Sequence, residues 1–254
     1  MVSFSPEQLF TIGRFPVTNT VVHTLLIDAA IIGTTFYLSK RLSLIPKGFQ
    51  NAVEALLETF YSLTESVAQT RAARIFPYFM TFFIFILLAN WTGLLPGVGT
   101  IGFYHIEEHE KVLVPFLRSP GSDINTTLAL ALISAVATHM LSIKVVGIKD
   151  YVSRFFSLNP INLFIGILEL ISEITKVVSL SFRLFGNIFA GEVVLAKVST
   201  IFAFLIPVPF LLLEVIVGFV QALVFGMLTM AFMSIMTTAH HEENHAHAKE
   251  VSRT

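Results

Sequence analysis

Three long stretches almost free of charge decide what this chain can become. Residues 75–104 and 124–143 contain no Asp, Glu, Lys or Arg, and residues 15–39 contain only Asp28. A bilayer core about 30 Å thick is crossed by about 20 apolar residues in a helix. Spans are therefore expected at residues 16–39, 75–97 and 124–146, the second closing on a Leu94-Leu95-Pro96-Gly97 turn. Composition agrees. Of the 254 residues 54% are hydrophobic, 25 of them Phe, and only 13% are charged, about half the share in soluble domains. That leaves too little polar surface to keep such a chain in water. With 10 Pro and 14 Gly it is neither a disordered nor a collagen-like polymer. The absence of Cys removes disulfide scaffolds, thiol chemistry, iron–sulfur ligation and Cys-based zinc sites. A net charge of −1 gives no electrostatic footprint for nucleic acid. Met1 is not followed by a basic region and an apolar core, so no cleavable signal peptide is expected.

Residues 46–68 follow a different pattern. Phe49, Val53, Leu56, Leu57, Phe60, Leu63 and Val67 recur at helical spacing, with Glu54, Glu58 and Glu65 on another face. Such a helix lies in the membrane interface or packs on another subunit. The C-terminal half is longer than a span requires. Residues 161–197 contain no Pro or other stop and would run about 55 Å as a helix. Residues 207–239 would run about 50 Å by the same rise. Ordinary tilts of about 20° do not absorb that excess. Two over-long helices in succession predict a steeply inclined hairpin, with Pro207 and Pro209 in its turn. The expected fold is an all-α integral membrane protein, one polytopic domain over residues 1–254. It has about five membrane helices and one interfacial amphipathic helix.

Lys and Arg placement sets the orientation. If the spans alternate, Lys40, Arg41, Lys47, Arg71, Arg74, Lys144, Lys149, Arg154, Lys249 and Arg253 share one side, against Arg14, Lys111, Arg118 and Lys197. The N-terminus is expected outside and the C-terminus inside.

The long hairpin carries Glu169, Glu173, Lys176, Arg183, Glu192 and Glu214 at membrane depth. Each costs about 2.5–3.5 kcal/mol at a helix centre on insertion scales. Such residues face a watery path or each other. Arg183 and Asn187 share a helix face at i, i+4, with Lys176 and Glu169 close to that face. On the second helix Glu214 and Gln221 share a face at i, i+7. If Gln221 sits opposite Arg183 in an antiparallel pair, Glu214 and Glu192 reach one level toward the outside. Glu169 and Glu173 then lie about 15–21 Å from Arg183 toward the inside. Carboxylates above and below with a guanidinium between them are the pattern of two aqueous approaches meeting at a fixed positive barrier.

The run Ser179-Leu180-Ser181-Phe182-Arg183-Leu184-Phe185-Gly186-Asn187-Ile188-Phe189-Ala190-Gly191-Glu192 resembles the signature of subunit a of the F-type ATP synthase. Asn159-Pro160-Ile161-Asn162-Leu163, Glu169, Lys176 and Gln221-Ala222-Leu223-Val224-Phe225 fall at the family's spacing. Weaker similarity lies in Asn19-Thr20, Asn90-Trp91-Thr92-Gly93-Leu94-Leu95-Pro96 and Asp123-Ile124-Asn125-Thr126-Thr127-Leu128, and together these cover most of residues 17–238. The resemblance implies the stator half of a proton channel. Protons pass an outer half-channel to a carboxylate on a ring of c subunits, travel with the ring, and leave by an inner half-channel. It implies that Arg183 faces that carboxylate and blocks leakage. Asn187 and Gln221 would keep its surroundings polar, Glu192 and Glu214 would line the outer path, and Glu169 the inner one, with Glu173 beside it. An Arg suits the barrier because it stays charged and cannot relay protons. Relatives often carry His at one of the two positions held here by Glu192 and Glu214; this chain has Glu at both, so two close carboxylates are expected to share a proton.

By the same resemblance the partners are the c-ring, the peripheral-stalk b subunits, the rest of the synthase and membrane lipid. The cargo is H⁺ or Na⁺, and the setting is an energy-transducing membrane, a bacterial plasma membrane or an organelle inner membrane. No GxxxxGK[ST] loop occurs, so the chain is expected to be non-catalytic by itself, without cofactor, metal or bound nucleotide. A secondary transporter with a midplane charge network is the alternative, though such proteins usually show two related halves and no internal repeat is found.

Other residues admit two readings. Asp28 is either a contact to another subunit or part of a proton path. His23 and His139 are expected to be satisfied buried imidazoles, and Gly186 and Gly191 to permit close helix approach. Residues 240–247, rich in His, read as a solvated terminus rather than a metal site. The loop with Glu107, Glu108, His109 and Glu110 is a solvated face or a local proton collector.

Overall fold

The structure is a computed structural model that describes residues 6–40, 48–107, 110–155, 160–201 and 207–238. Its helices are α1 (Asn19–Ser39), α2 (Phe49–Ala68), α3 (Ala72–Gly93), α4 (Ile124–Val146), α5 (Ile148–Phe155), α6 (Pro160–Ile201) and α7 (Pro207–Thr237). Ahead of α1, β1 (Gln8–Ile12) and β2 (Phe15–Thr18) pair antiparallel. Between α3 and α4 lie β3 (Pro96–Gly99) and an antiparallel hairpin of β4 (Gly102–Glu107) and β5 (Glu110–Pro115). The short hairpins and the eight residues of α5 are too brief to show a hydrophobic period in sequence.

Four segments are long and apolar enough to cross a membrane: α1, Gln50–Gly93, α4 and α7. Helix α6 is the longest, at 42 residues, but is broken by charges. The chain between α2 and α3 turns through a short 3₁₀ segment at Gln69–Arg71, where Gln69 takes φ 47°. Helix α3 stops at Gly93, short of residue 97. Pro96 has no N–H to continue it, and Gly97 turns the chain with φ 113°.

The core lies where α3 packs on α7 and α2 closes over both. Phe60, Phe79, Phe82, Phe83 and Phe225 interlock, with ring centroids 4.7 Å apart for Phe60–Phe83 and 5.5 Å for Phe82–Phe225. Gly226 lies under the Phe79 ring, where a Cβ would come within 3.0 Å of two ring carbons. Lipid tails are as apolar as these side chains, so dispersion in close packing holds the helices together rather than exclusion of water.

Helix α4 adds a seam of small hydroxyls, the usual adhesive inside a membrane. Thr127 meets Ser181 at 3.2 Å, Ser134 meets Thr229 at 2.8 Å, and Ser142 donates to the Met236 carbonyl. Helix α1 is the least covered, with Leu25, Leu26, Ile32 and Phe36 all exposed.

Helices α6 and α7 run antiparallel. Gly191 faces Glu214 near one end, and Lys176 Nζ lies 4.7 Å from the Phe232 ring centroid toward the other. Counting between these contacts brings Arg183 level with Leu223 and Val224, within a helical turn of Gln221.

Candidate functional site

Helical periodicity divides α6 into two faces. Leu180, Ser181, Leu184 and Ile188 are buried against the core. Ser179, Phe182, Arg183, Gly186, Asn187 and Ala190 face outward. A Cβ at Gly186 would meet nothing within 4 Å. The chain therefore leaves a narrow strip of small and polar residues uncovered around Arg183. Gly186 does not serve close approach within this chain.

Arg183 is exposed, and no described residue hydrogen-bonds or ion-pairs with it. It stands at one end of a groove of about 430 Å³ whose lining includes Ser172, Thr175, Lys176, Ser179 and Phe232. Hydroxyls and one ammonium thus continue from Arg183 toward the N-terminal half of α6.

At the far end of that groove the acids have basic partners. Glu169 Oε1 lies 2.5 Å from Arg154 Nε on α5. Glu173 Oε1 accepts from Lys176 Nζ at 2.7 Å, and its Oε2 is 3.8 Å from His139 Nε2. His139 Nδ1 in turn meets the Tyr151 hydroxyl at 3.0 Å. Burial, then the negative charges of Glu173 and Glu169, pushes the Tyr151 phenol above its ordinary range.

Glu214 and Gln221 are both buried on one face of α7. The Glu214 carboxyl occupies the space over Gly191 where any other residue would place its Cβ. Beside it, the Glu192 carboxyl lies by the Ser122 side chain and feels the charges of Arg118 and Glu214. The two acids that antiparallel counting puts at one level thus stand in the same region, apart from Arg183.

Arg118 is the residue that sequence reading missed. Counted only among the charges on one side of the membrane, it is buried (8% exposed). Its Nε and Nη2 donate to the Ser122 side chain and carbonyl at 3.3 and 3.4 Å. Asp123 caps α4 by accepting from Asn125 N at 2.9 Å, and also takes hydrogen bonds from Thr126 and Thr20. An Asp just before an apolar helical run is an N-cap signal, and it would have drawn attention to this turn. Asn90 Nδ2 donates to the Gly218 carbonyl at 3.1 Å and Trp91 Nε1 to that of Val215 at 3.1 Å, tying α3 to the Glu214 turn of α7.

Asp28 is partly buried on α1. Asn159, Glu108, His109 and residues 240–247 lie outside the described residues.

Together these elements define an α-helical integral membrane protein with a polar track set into one face of its longest helix. The comparisons give the family. Residues 21–234 match the family described as ATP synthase A chain. The chain is 33% identical to "ATP synthase subunit a" of Moorella thermoacetica over 94% of its own length and 100% of that protein. It is 32% identical to "ATP synthase subunit a 2" of Pelobacter propionicus, over 90% of each chain. Over 89% of its length it is 34% identical to "ATP synthase subunit a" of Gloeobacter violaceus, covering 86% of that chain. The chain belongs to the ATP synthase A chain family, as a non-catalytic membrane subunit.

Proposed function

We propose that this chain is the proton-translocating stator subunit of its synthase and that Arg183 faces the carboxylate of a rotating c-ring. The observation that carries the reading is the guanidinium in the middle of α6, which has no partner among the described residues. Leaving such a charge in hydrocarbon costs about 2.5–3.5 kcal/mol. A carboxylate presented by a neighbouring subunit removes that cost, and the small residues Ser179, Gly186 and Ala190 let its helix approach closely.

On this reading the Glu192, Glu214 and Ser122 end is the outer approach, and the groove past Ser179, Thr175 and Ser172 is the inner one. Asn187 and Gln221 keep the junction polar. Glu169 and Glu173, held by Arg154 and Lys176, sit at the inner mouth as fixed charge. Helix α6 would be about 63 Å long at 1.5 Å per residue, so the α6–α7 hairpin lies steeply inclined. The N-terminus is outside and the C-terminus inside an energy-transducing membrane. The peripheral-stalk b subunits hold the chain against the turning ring.

Crosslinking tests the facing surface, and the chain's lack of Cys keeps the background clean. In the assembled complex, Asn187→Cys is expected to form a disulfide with a Cys placed near the ring carboxylate. Ile188→Cys, on the buried face, is not. Equal crosslinking by both, or none by Asn187→Cys, would refute the reading.

A further inference from the structure

His23 is buried (4% exposed) on a helix whose other side chains mostly face outward, and the function proposed above gives it no task. Both ring nitrogens are engaged. Nδ1 lies 2.9 Å from the Arg118 carbonyl oxygen and Nε2 lies 3.0 Å from Thr92 Oγ1. A carbonyl only accepts, so Nδ1 carries a hydrogen. Thr92 Oγ1 is itself 2.6 Å from the Leu88 carbonyl, a second obligate acceptor.

A hydroxyl has one hydrogen to give. If Thr92 gives it to Leu88, Nε2 has to donate to Thr92, and the ring is an imidazolium. If the ring is neutral, Nε2 is bare, and Thr92 turns its hydrogen from Leu88 to the ring. The same heavy-atom arrangement thus supports two hydrogen-bonded states that differ by one proton.

The groups around the ring connect it to the Glu192 end. Its Arg118 contact belongs to the residue whose guanidinium holds Ser122, and the Ser122 side chain, which donates to the Ser119 carbonyl at 3.0 Å, lies beside Glu192. One turn earlier on α1, Thr20 donates to Asp123 Oδ2 at 3.0 Å. The charged groups facing this region are Arg118 and Asp123 from the α3–α4 connection, and Glu192 and Glu214 beyond Ser122. Glu7 and Arg14 come from the hairpin packed on α1, and Asp28 from α1 itself; α3 contributes only the neutral Asn90 and Thr92. Asn19 Oδ1, Asn90 Oδ1 and Ser119 Oγ are buried here without a partner among the described residues, so the polar cluster suits water.

We propose that His23 is a proton-binding positioning residue of the outer approach, one that sets how the Pro120–Ser122 turn presents Ser122 to Glu192. The proposal rests on the reading of Glu192 and Glu214 as that approach. Protonation flips Thr92 and charges the ring beside the Arg118 carbonyl. The turn that carries Ser122 then responds, and so does the ease with which Glu192 exchanges protons.

The test uses the whole synthase in sealed vesicles, with ATP synthesis followed as the outer pH is varied, the inner pH held fixed and the total proton driving force kept constant by an imposed potassium diffusion potential. Wild type is expected to show an inflection where the His23 imidazole changes charge. His23→Gln keeps a polar side chain but cannot titrate, and should lose the part of the profile that belongs to the imidazole, leaving only the titration of the Glu192 and Glu214 pair. Thr92→Val keeps the imidazole but abolishes the hydroxyl switch. It should displace the inflection by about one pH unit, the worth of one hydrogen bond to a charged group. A wild-type profile in His23→Gln overturns the proposal. So does an unmoved inflection in Thr92→Val, which decides the matter alone if His23→Gln does not assemble. Arg183→Ala run alongside separates the two readings. Wild-type synthesis there sinks the stator reading itself, whereas lost synthesis together with an unchanged His23→Gln profile sinks only this inference.

Discussion

Arg183→Ala is expected to reduce proton-driven ATP synthesis at least about 100-fold, the scale set by removing one preorganised donor that faces a developing negative charge. Arg183→Lys is expected to fail nearly as badly. The guanidinium stands alone on an uncovered face of α6, at the head of the groove lined by Thr175, Lys176 and Ser179. Its work in this account is to stay positive at every moment while carboxylates pass in front of it. A guanidinium does so because it cannot lose its proton within a protein, and its planar fork meets a carboxylate at two points. An ammonium is a single point charge that gives up its proton when desolvated. The measurement is ATP synthesis by reconstituted vesicles under an imposed proton gradient. Near wild-type synthesis by the Lys variant would contradict the account.

The second large effect concerns the seat of Glu214. Its carboxyl fills the space above Gly191, and its charge is felt by Glu192. Glu214→Gln keeps the shape but cannot carry a proton. Loss of a positioned acid–base group costs about 10²–10⁴-fold where it is the only route, and a neighbouring acid and water soften that here. A fall of about 10- to 100-fold in passive proton flux through the membrane sector is expected. Gly191→Val leaves every titratable group in place but occupies the seat, so Glu214 has to move. It should fall to a similar level, and combining the two changes should add little because both act on one carboxyl. Glu214→His restores a titratable group and should keep substantial flux with an altered pH profile. Wild-type flux in both Glu214→Gln and Gly191→Val would show that this carboxyl is not on the path.

Much of the fold was legible because spans are written in two strong signals, length and absence of charge. The α1, α3 and α4 stretches announce themselves, and the excess length of α6 and α7 sets them apart. Less visible was everything held by a contact between distant residues. The Arg154–Glu169 pair depends on α5, a helix of eight residues that shows no period. Sequence reading let Glu169 and Glu173 face either a watery path or other charges; in the structure each meets a basic partner. Arg118 carries no local sign that it folds back between α1, α4 and α6 to hold Ser122. Of the candidate site, Arg183, Glu192, Glu214 and Gln221 were singled out by charge at membrane depth, helical spacing and the family resemblance, because an antiparallel hairpin converts residue numbers into height. The hydrogen-bond partners that tune them were not, since Ser122, His23 and Thr92 belong to other elements.

The central claim is that two separate aqueous approaches reach Arg183 from opposite sides of the membrane. A single Cys can be placed in either approach without background, because the chain has none. Ser122→Cys stands beside Glu192 and Ser172→Cys lines the groove below Arg183. Each is treated in sealed vesicles of both orientations with a thiophilic cation too polar to cross the bilayer, and block of proton flux is followed. Ser122→Cys should be blocked only from the side bearing the N-terminus, and Ser172→Cys only from the opposite side. Block of both from one side, or of either equally from both, would contradict the account.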